Sequence, residues 1–276
     1  MYTLLVPIDF TDISISVLEF AGFIAKMKRG QIVLLYALHP KNIAVGTSHV
    51  FDMTDYEYQK ELYLKKLEDL AIKYRQQHIY TKHHVTLGFL NDAIEEAIKE
   101  HTANLIVTGT HGASGLEANI LGTRSLDIAK TSNIPTVIVP KDWKVSNFDK
   151  IVYASDFRFS DLKFLKEIVD LAKSCNAQVT ILHLSNSVDK EENDALMYWF
   201  KELCTEEVIY DKMNFEVVVG ESLLETLDSF VKNKGYDLVC MAMKKRNFIE
   251  KLFEKSQSKE IAFAAKFPVW LVNENN

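Results

Sequence analysis

The sequence is poor in cysteine, has no long apolar run and carries no excess of positive charge. Its three cysteines, Cys175, Cys204 and Cys240, are odd in number and widely spaced, with no C-x-x-C pair. That usage suits a reducing compartment in which the thiols serve as small buried hydrophobes. No segment approaches the ~20 apolar residues that a membrane span needs. With 32 Lys and Arg against 38 Asp and Glu, the formal charge is −6, which argues against a nucleic-acid-binding surface. The opening MYTLLVPIDF has neither a basic leader nor a long apolar core, so no signal peptide and a cytoplasmic location are expected. No Walker-type G-K-[ST] is present, since Thr follows Gly122 and no Lys precedes it. Neither a G-x-S-x-G elbow nor H-E-x-x-H occurs. His83 and His84 are neighbours on an expected strand, so their side chains point to opposite faces and cannot share a metal. No catalytic residue and no metal ligand is assigned.

What is present is ordinary for a globular protein, 47% apolar and 25% charged. A length of 276 residues suits two domains of about 100–150 residues each. Tyr2 to Ile8 reads as a strand ending at Asp9, followed by a helix capped among Thr11, Asp12 and Ser14 and running to about Met27. Gln31 to Leu38 is a near-continuous apolar strand, the pattern of a parallel sheet covered on both faces. The polar stretch from Pro40 to about Thr54 is long for a loop, and is either a lid over a cleft or variable surface. Asp55 to Gln77 has helical spacing with Leu62, Leu64, Leu67, Leu70 and Ala71 on one side. His84 to Gly88 then reads as a strand, Asn91 to Glu100 as a helix, and Leu105 to Val107 as a buried strand. Ser125 to Ser132 continues a helix and Pro135 to Pro140 forms a strand. Strands alternating with helices imply right-handed β-α-β units and a parallel sheet.

Lys141 to Asp149 lacks periodicity and marks a boundary, giving domains 1–143 and 147–276. The pattern then restarts. Ile151 to Phe157 repeats Leu5 to Phe10 in character, with Asp156 opposite Asp9. Val179 to Leu184 repeats the second strand, and His183 aligns with Tyr36 as a satisfied sheet histidine. Asp189 to Glu207, Phe215 to Gly220 and Leu223 to Asn233 read as helix, strand and helix. Asp237 to Met241 repeats Asn104 to Thr108, and Pro268 to Val272 repeats Pro135 to Val139. A repeat of this length is a duplicated domain rather than a solenoid.

The stretch from Leu105 to Arg124, LIVTGTHGASGLEANILGTR, carries the chemistry. Its glycines fall as G-x2-G-x9-G-[ST], at Gly109, Gly112, Gly122 and Thr123. Glycines let backbone N–H groups approach a ligand closely. The first turn of the following helix adds unpaired donors and partial positive charge, which suits a phosphate. A constant offset of 133 residues places Ala242, Lys245, Lys255 and Ser256 at these positions in the second half. All three glycines are lost there, so the second half is expected to keep the fold and lose the site. Lys244, Lys245, Arg246, Lys251 and Lys255 form either a solvated basic face or a built-in cation in the emptied phosphate position.

The glycine stretch, with Asp9 ending the first strand, resembles the universal stress protein family in its ATP-binding branch. The resemblance covers essentially the whole chain twice, with the motif intact once. It implies two tandem Rossmann-like α/β domains, each a five-stranded parallel sheet of order 3-2-1-4-5, packed as an intramolecular pseudo-dimer through the edges Thr136 to Val139 and Val269 to Val272. It further implies that Pro7, Asp9 and Ala37 surround ribose and adenine. Thr108, Gly109, His111 and Gly112 would line the base and first phosphates, and Gly122, Thr123 and the Arg124 backbone the outer ones. Magnesium would enter through the phosphates. Asp9 could instead simply cap the next helix, and His111 and Arg124 could be cleft wall and solvated surface. The implied role is ATP binding in stress response or signalling, with an unidentified regulatory protein partner, a homodimer as a further assembly, and slow hydrolysis at most. A nucleotide-free scaffold and a phosphoryl- or adenylyl-transfer enzyme are the alternatives.

Overall fold

The computed structural model describes residues 1–40, 53–110, 123–141, 143–144, 147–243 and 266–272. The first half runs β1 (Thr3–Pro7), α1 (Asp12–Lys28), β2 (Gln31–Leu38), α2 (Met53–Arg75), β3 (Tyr80–Leu87), α3 (Leu90–His101), β4 (Leu105–Gly109), α4 (Thr123–Thr131) and β5 (Thr136–Val139). The second runs β6 (Lys150–Ala154), α5 (Asp161–Cys175), β7 (Gln178–Ser185), α6 (Lys190–Glu207), β8 (Met213–Val219), α7 (Leu223–Lys234), β9 (Leu238–Ala242) and β10 (Val269–Val272). The strands form one sheet of ten in the order β3-β2-β1-β4-β5-β10-β9-β6-β7-β8. Each half is therefore a parallel 3-2-1-4-5 sheet. The join is antiparallel, with Val269 opposite Ile138, Trp270 opposite Val137 and Leu271 opposite Thr136.

The local rules are visible in each element. Thr11 caps α1 by accepting from the Ser14 N–H, and the left-handed Arg29 (φ 48°) ends it. In β2 Gln31 to Leu35 are all buried, because helices cover both faces of the sheet. Leu4, Val6, Ile32 and Leu34 meet α1 and α2 on one face, while Leu5, Val33, Leu35 and Ile106 meet α3 and α4 on the other. The α1–α2 face continues into α5 and α6 of the second half, so Phe20, Leu67, Leu165 and Phe200 belong to one core. Phe148, from the connecting segment, packs edge-on against Phe23 at 5.0 Å, and Lys28 pairs with Asp170 across the halves.

Two sequence expectations are corrected here. β3 begins at Tyr80, four residues earlier than read, since an edge strand is only partly buried and its polar start masks the pattern. On α2, Leu62 is exposed and Tyr63 turns inward with Leu67, Ala71 and Tyr74, the set that keeps i, i+4, i+7/8 spacing.

Candidate functional site

In a 3-2-1-4-5 sheet the strand order reverses between β1 and β4, and ligands bind in the crevice beyond the carboxyl ends of such strands. β1 and β4 pair through Leu4–Leu105 and Leu5–Ile106. That register brings Pro7 and Asp9 alongside Thr108 and Gly109. Ala37, near the end of β2, belongs to the α3–α4 face with Leu5 and Leu35. Thr108 and Thr110 are buried, and the Thr110 N–H donates to Val139 O at 3.1 Å, which fixes the exit of β4 against β5.

Asp9 organises the turn into α1. Its Oδ1 accepts from the Thr11 N–H at 3.1 Å and from the Thr11 hydroxyl at 2.6 Å, and Thr11 in turn caps the helix. The cap of α1 is therefore Thr11, and Asp9 braces it rather than capping the helix itself. Between them Phe10 adopts the left-handed region at φ 61°, a conformation that costs a bulky side chain free energy and marks a constrained turn. The Phe10 ring lies on Tyr63, and Tyr63 stacks on Tyr36 at 3.9 Å. Burial, followed by the Tyr63 hydrogen bond, holds the Tyr36 phenol well above its ordinary range, so it stays neutral.

At the other wall, the buried Ser125 hydroxyl in the first turn of α4 donates to Gly109 O. The two ends of the glycine stretch are therefore tied together at the crevice. His111, Gly112 and Gly122 lie outside the described residues, as do residues 41–52, most of the polar stretch read as a lid or variable surface, and the basic stretch 244–255. Thr123 opens α4, and Arg124 is exposed. Of the ten expected site residues, Pro7, Asp9, Thr108 and Gly109 lie at or just beyond the carboxyl ends of the paired strands β1 and β4, Thr123 and Arg124 open α4, and Ala37 is near the end of β2.

The second half rebuilds the equivalent turn. Phe157 repeats the left-handed conformation of Phe10 at φ 55°. Here the buried Asp161 accepts from Ser155 Oγ at 2.6 Å and from the Arg158 N–H at 3.2 Å, while Asp156 faces Arg158 at 3.6 Å. His183 Nδ1 lies 3.0 Å from Ser155 O and its ring stacks on Phe157, so it is the satisfied sheet histidine expected. Ala242 ends β9 as Gly109 ends β4.

A group that sequence reasoning missed lies elsewhere in the first half. His83 and His84 do point to opposite faces. His83 meets Glu68 of α2 at 3.4 Å, whereas His84 turns to α3 and meets Glu100 and His101. Burial holds His101 below the ordinary histidine range, outweighing the opposing pull of Glu100. The available signal was that His84 faces α3, whose last turn reads E-H.

The model of the universal stress protein family matches residues 1–140 and again 147–273. Universal stress protein YxiE of Bacillus subtilis is 30% identical over 146 residues, covering 49% of this chain and 97% of that protein. A universal stress protein of Methanocaldococcus jannaschii is 20% identical over 153 residues, covering 50% of this chain and 94% of that one. A solved universal stress protein from Archaeoglobus fulgidus superposes with a TM-score of 0.74 at 19% identity, covering 99% of this chain and 98% of the other, which shows the shared fold. The chain belongs to the universal stress protein family, a family of stress-response modules, and carries the family's unit twice. Among the described residues no helix is long and apolar enough to cross a membrane.

Proposed function

We propose that the first half binds one adenine nucleotide, ATP in the working state, and that the protein acts as a nucleotide-responsive stress or signalling module. The observation that carries this reading is the tie from Ser125 to Gly109 O, which sets the first turn of α4 at the switch-point crevice beside Asp9. The donor set fits the ligand. The start of α4 offers unpaired N–H groups and partial positive charge to phosphates, and Asp9 offers a carboxylate of the kind that accepts from a ribose hydroxyl. Thr123 and Arg124 stand at the phosphate end, and Mg²⁺ would join through the phosphate oxygens. Turnover is proposed to be slow at most, since no lysine clamp or general base accompanies the described crevice residues. The second half, with Ala242 for Gly109 and lysines for the other two glycines, is proposed not to bind.

The test is acid extraction of the purified protein with chromatographic identification and counting of released nucleotide, followed by Mg-ATP titration. About one adenine nucleotide per chain, lost in Gly122→Lys, is expected. Two per chain would overturn the asymmetry, and none with no binding of added Mg-ATP would leave a packing scaffold.

A further inference from the structure

We propose that His84, Glu100 and His101 form a binding site for one divalent transition-metal ion of the zinc type, separate from the nucleotide crevice. His84 Nδ1 lies 3.4 Å from His101 Nε2 and 3.6 Å from Glu100 Oε2, and His101 Nε2 lies 3.5 Å from Glu100 Oε1. Ligand atoms about 2.0–2.2 Å from a tetrahedral zinc stand about 3.3–3.6 Å apart. The two ring nitrogens are thus spaced as neighbouring ligands of such an ion, with the Glu100 carboxylate turning one oxygen to each ring and all three groups offering a ligand atom within 4.8 Å of the others. The two imidazoles are held in place, with side chains only 13% and 10% exposed, while Glu100 at 54% leaves an approach for the ion and a fourth position open to solvent.

The surroundings favour a cation. Glu100 and His101 end α3, where the carbonyl end of the helix carries partial negative charge. Glu96 adds a second carboxylate, with Lys82 of β3 as the opposing charge. His84 Nε2 is buried with no hydrogen-bond partner, and Glu96 Oε1 stands 4.0 Å away. Metal-bound histidines ordinarily donate the second ring N–H to a carboxylate, and a small rotation of Glu96, itself accepting from Thr86 at 2.9 Å, would supply it.

The duplicated half provides an internal control. His84 pairs with Leu35, and the equivalent Leu182 pairs with Glu216; His101 ends α3 as Lys234 ends α7. Glu216 and Lys234 form an ion pair. Where the second half neutralises this spot with opposite charges, the first half gathers three groups of metal-ligand type. His84 lies on the edge strand β3, two strands away from β1 in the sheet.

The experiment uses the full chain, stripped with a chelator and titrated with Zn²⁺ against a chromophoric competitor. One saturable equivalent per chain is expected, raising the unfolding temperature by ligand linkage. His84→Gln and His101→Gln should each abolish it, Glu96→Gln should weaken it about 10–100-fold, and His83→Gln should leave it intact. Co²⁺ in place of Zn²⁺ should give the intense visible absorption of a four-coordinate ion. Should either single variant fold poorly, the double variant His84→Glu/His101→Lys installs the pair the second half already uses. It is expected to fold and to bind no zinc. No saturable equivalent in the parent chain, or equal uptake by parent and double variant, would overturn the site.

Discussion

Asp9 accepts from the Thr11 N–H and hydroxyl, and the proposed ribose contact is separable from this role by substitution. Thr11→Ala should cost about 1 kcal/mol in urea unfolding, because the Ser14 N–H of α1 loses its acceptor, and Asp9→Ala a similar amount by removing the acceptor that holds Thr11 in place. Only Asp9→Ala should also weaken Mg-ATP binding. Equal nucleotide affinities in the two variants would confine Asp9 to capping. The cysteines give a second residue-scale expectation. Burial, with a smaller push from Asp161, moves the Cys204 thiol up to about 12, and Cys240 is fully buried. Half-buried Cys175 should therefore react first with a disulfide reagent at pH 8, and the other two only after denaturation, since the thiolate is the reactive form. The phosphate side of the crevice was legible because glycine spacing is a property of contiguous sequence. The His84–Glu100–His101 group was not, because fifteen residues of strand end, turn and helix separate His84 from Glu100 and only the packing of α3 on β3 closes the gap.

Among the elements, the passage from α1 to β2 is the tightest. The Gly30 N–H donates to Ala25 O at 2.8 Å behind the left-handed Arg29, and β1–β2 pairing begins one residue later. A Cβ on Gly30 would stand 2.4 Å from the Tyr2 carbonyl oxygen, a backbone atom that cannot swing aside. Gly30→Ala should thus cost about 1–3 kcal/mol, seen as a lower denaturant midpoint at unchanged slope. A wild-type midpoint would mean that β1 and α1 separate more readily than their register implies. Interior strands such as β2 and β4 declare themselves as apolar runs, since both faces are covered. β3 lies at the sheet edge with only Thr81 and Val85 buried, and its start was hidden for that reason. The repeat supplied a second reading of every element. Gln31 and Gln178 begin equivalent strands 147 residues apart, whereas Leu90 and Leu223 begin equivalent helices 133 apart. The surplus of the first half therefore falls between β2 and the body of α2, where the sequence carries its long polar stretch.

For the molecule as a whole, the shared core decides cooperativity. Trp270 on β10 is 1% exposed and belongs with Phe148, Phe20 and Leu165 to a cluster drawn from both halves. Trp270→Ala should cost about 3–5 kcal/mol, and fluorescence and far-UV circular dichroism should report one coincident unfolding transition for both halves. Two resolved transitions would show that the halves hold their cores independently. Periodicity alone predicted two α/β units but not their joining; the meeting of the strand-5 edges came from the family resemblance and is realised as the β5–β10 pair.

That pair runs antiparallel, so the carboxyl ends of the two sets of parallel strands open at opposite borders of the continuous sheet. In an assembly of two identical chains related by the same twofold operation, every substitution at one crevice is repeated at the other. Covalent linkage breaks that obligation. A glycine can become Ala242 at one border while Gly109 stays at the other, and an ion pair can become two histidines and a carboxylate on one flank alone. Substitutions in either unit then need satisfy only the common core, and the two borders of the sheet are free to diverge within one molecule.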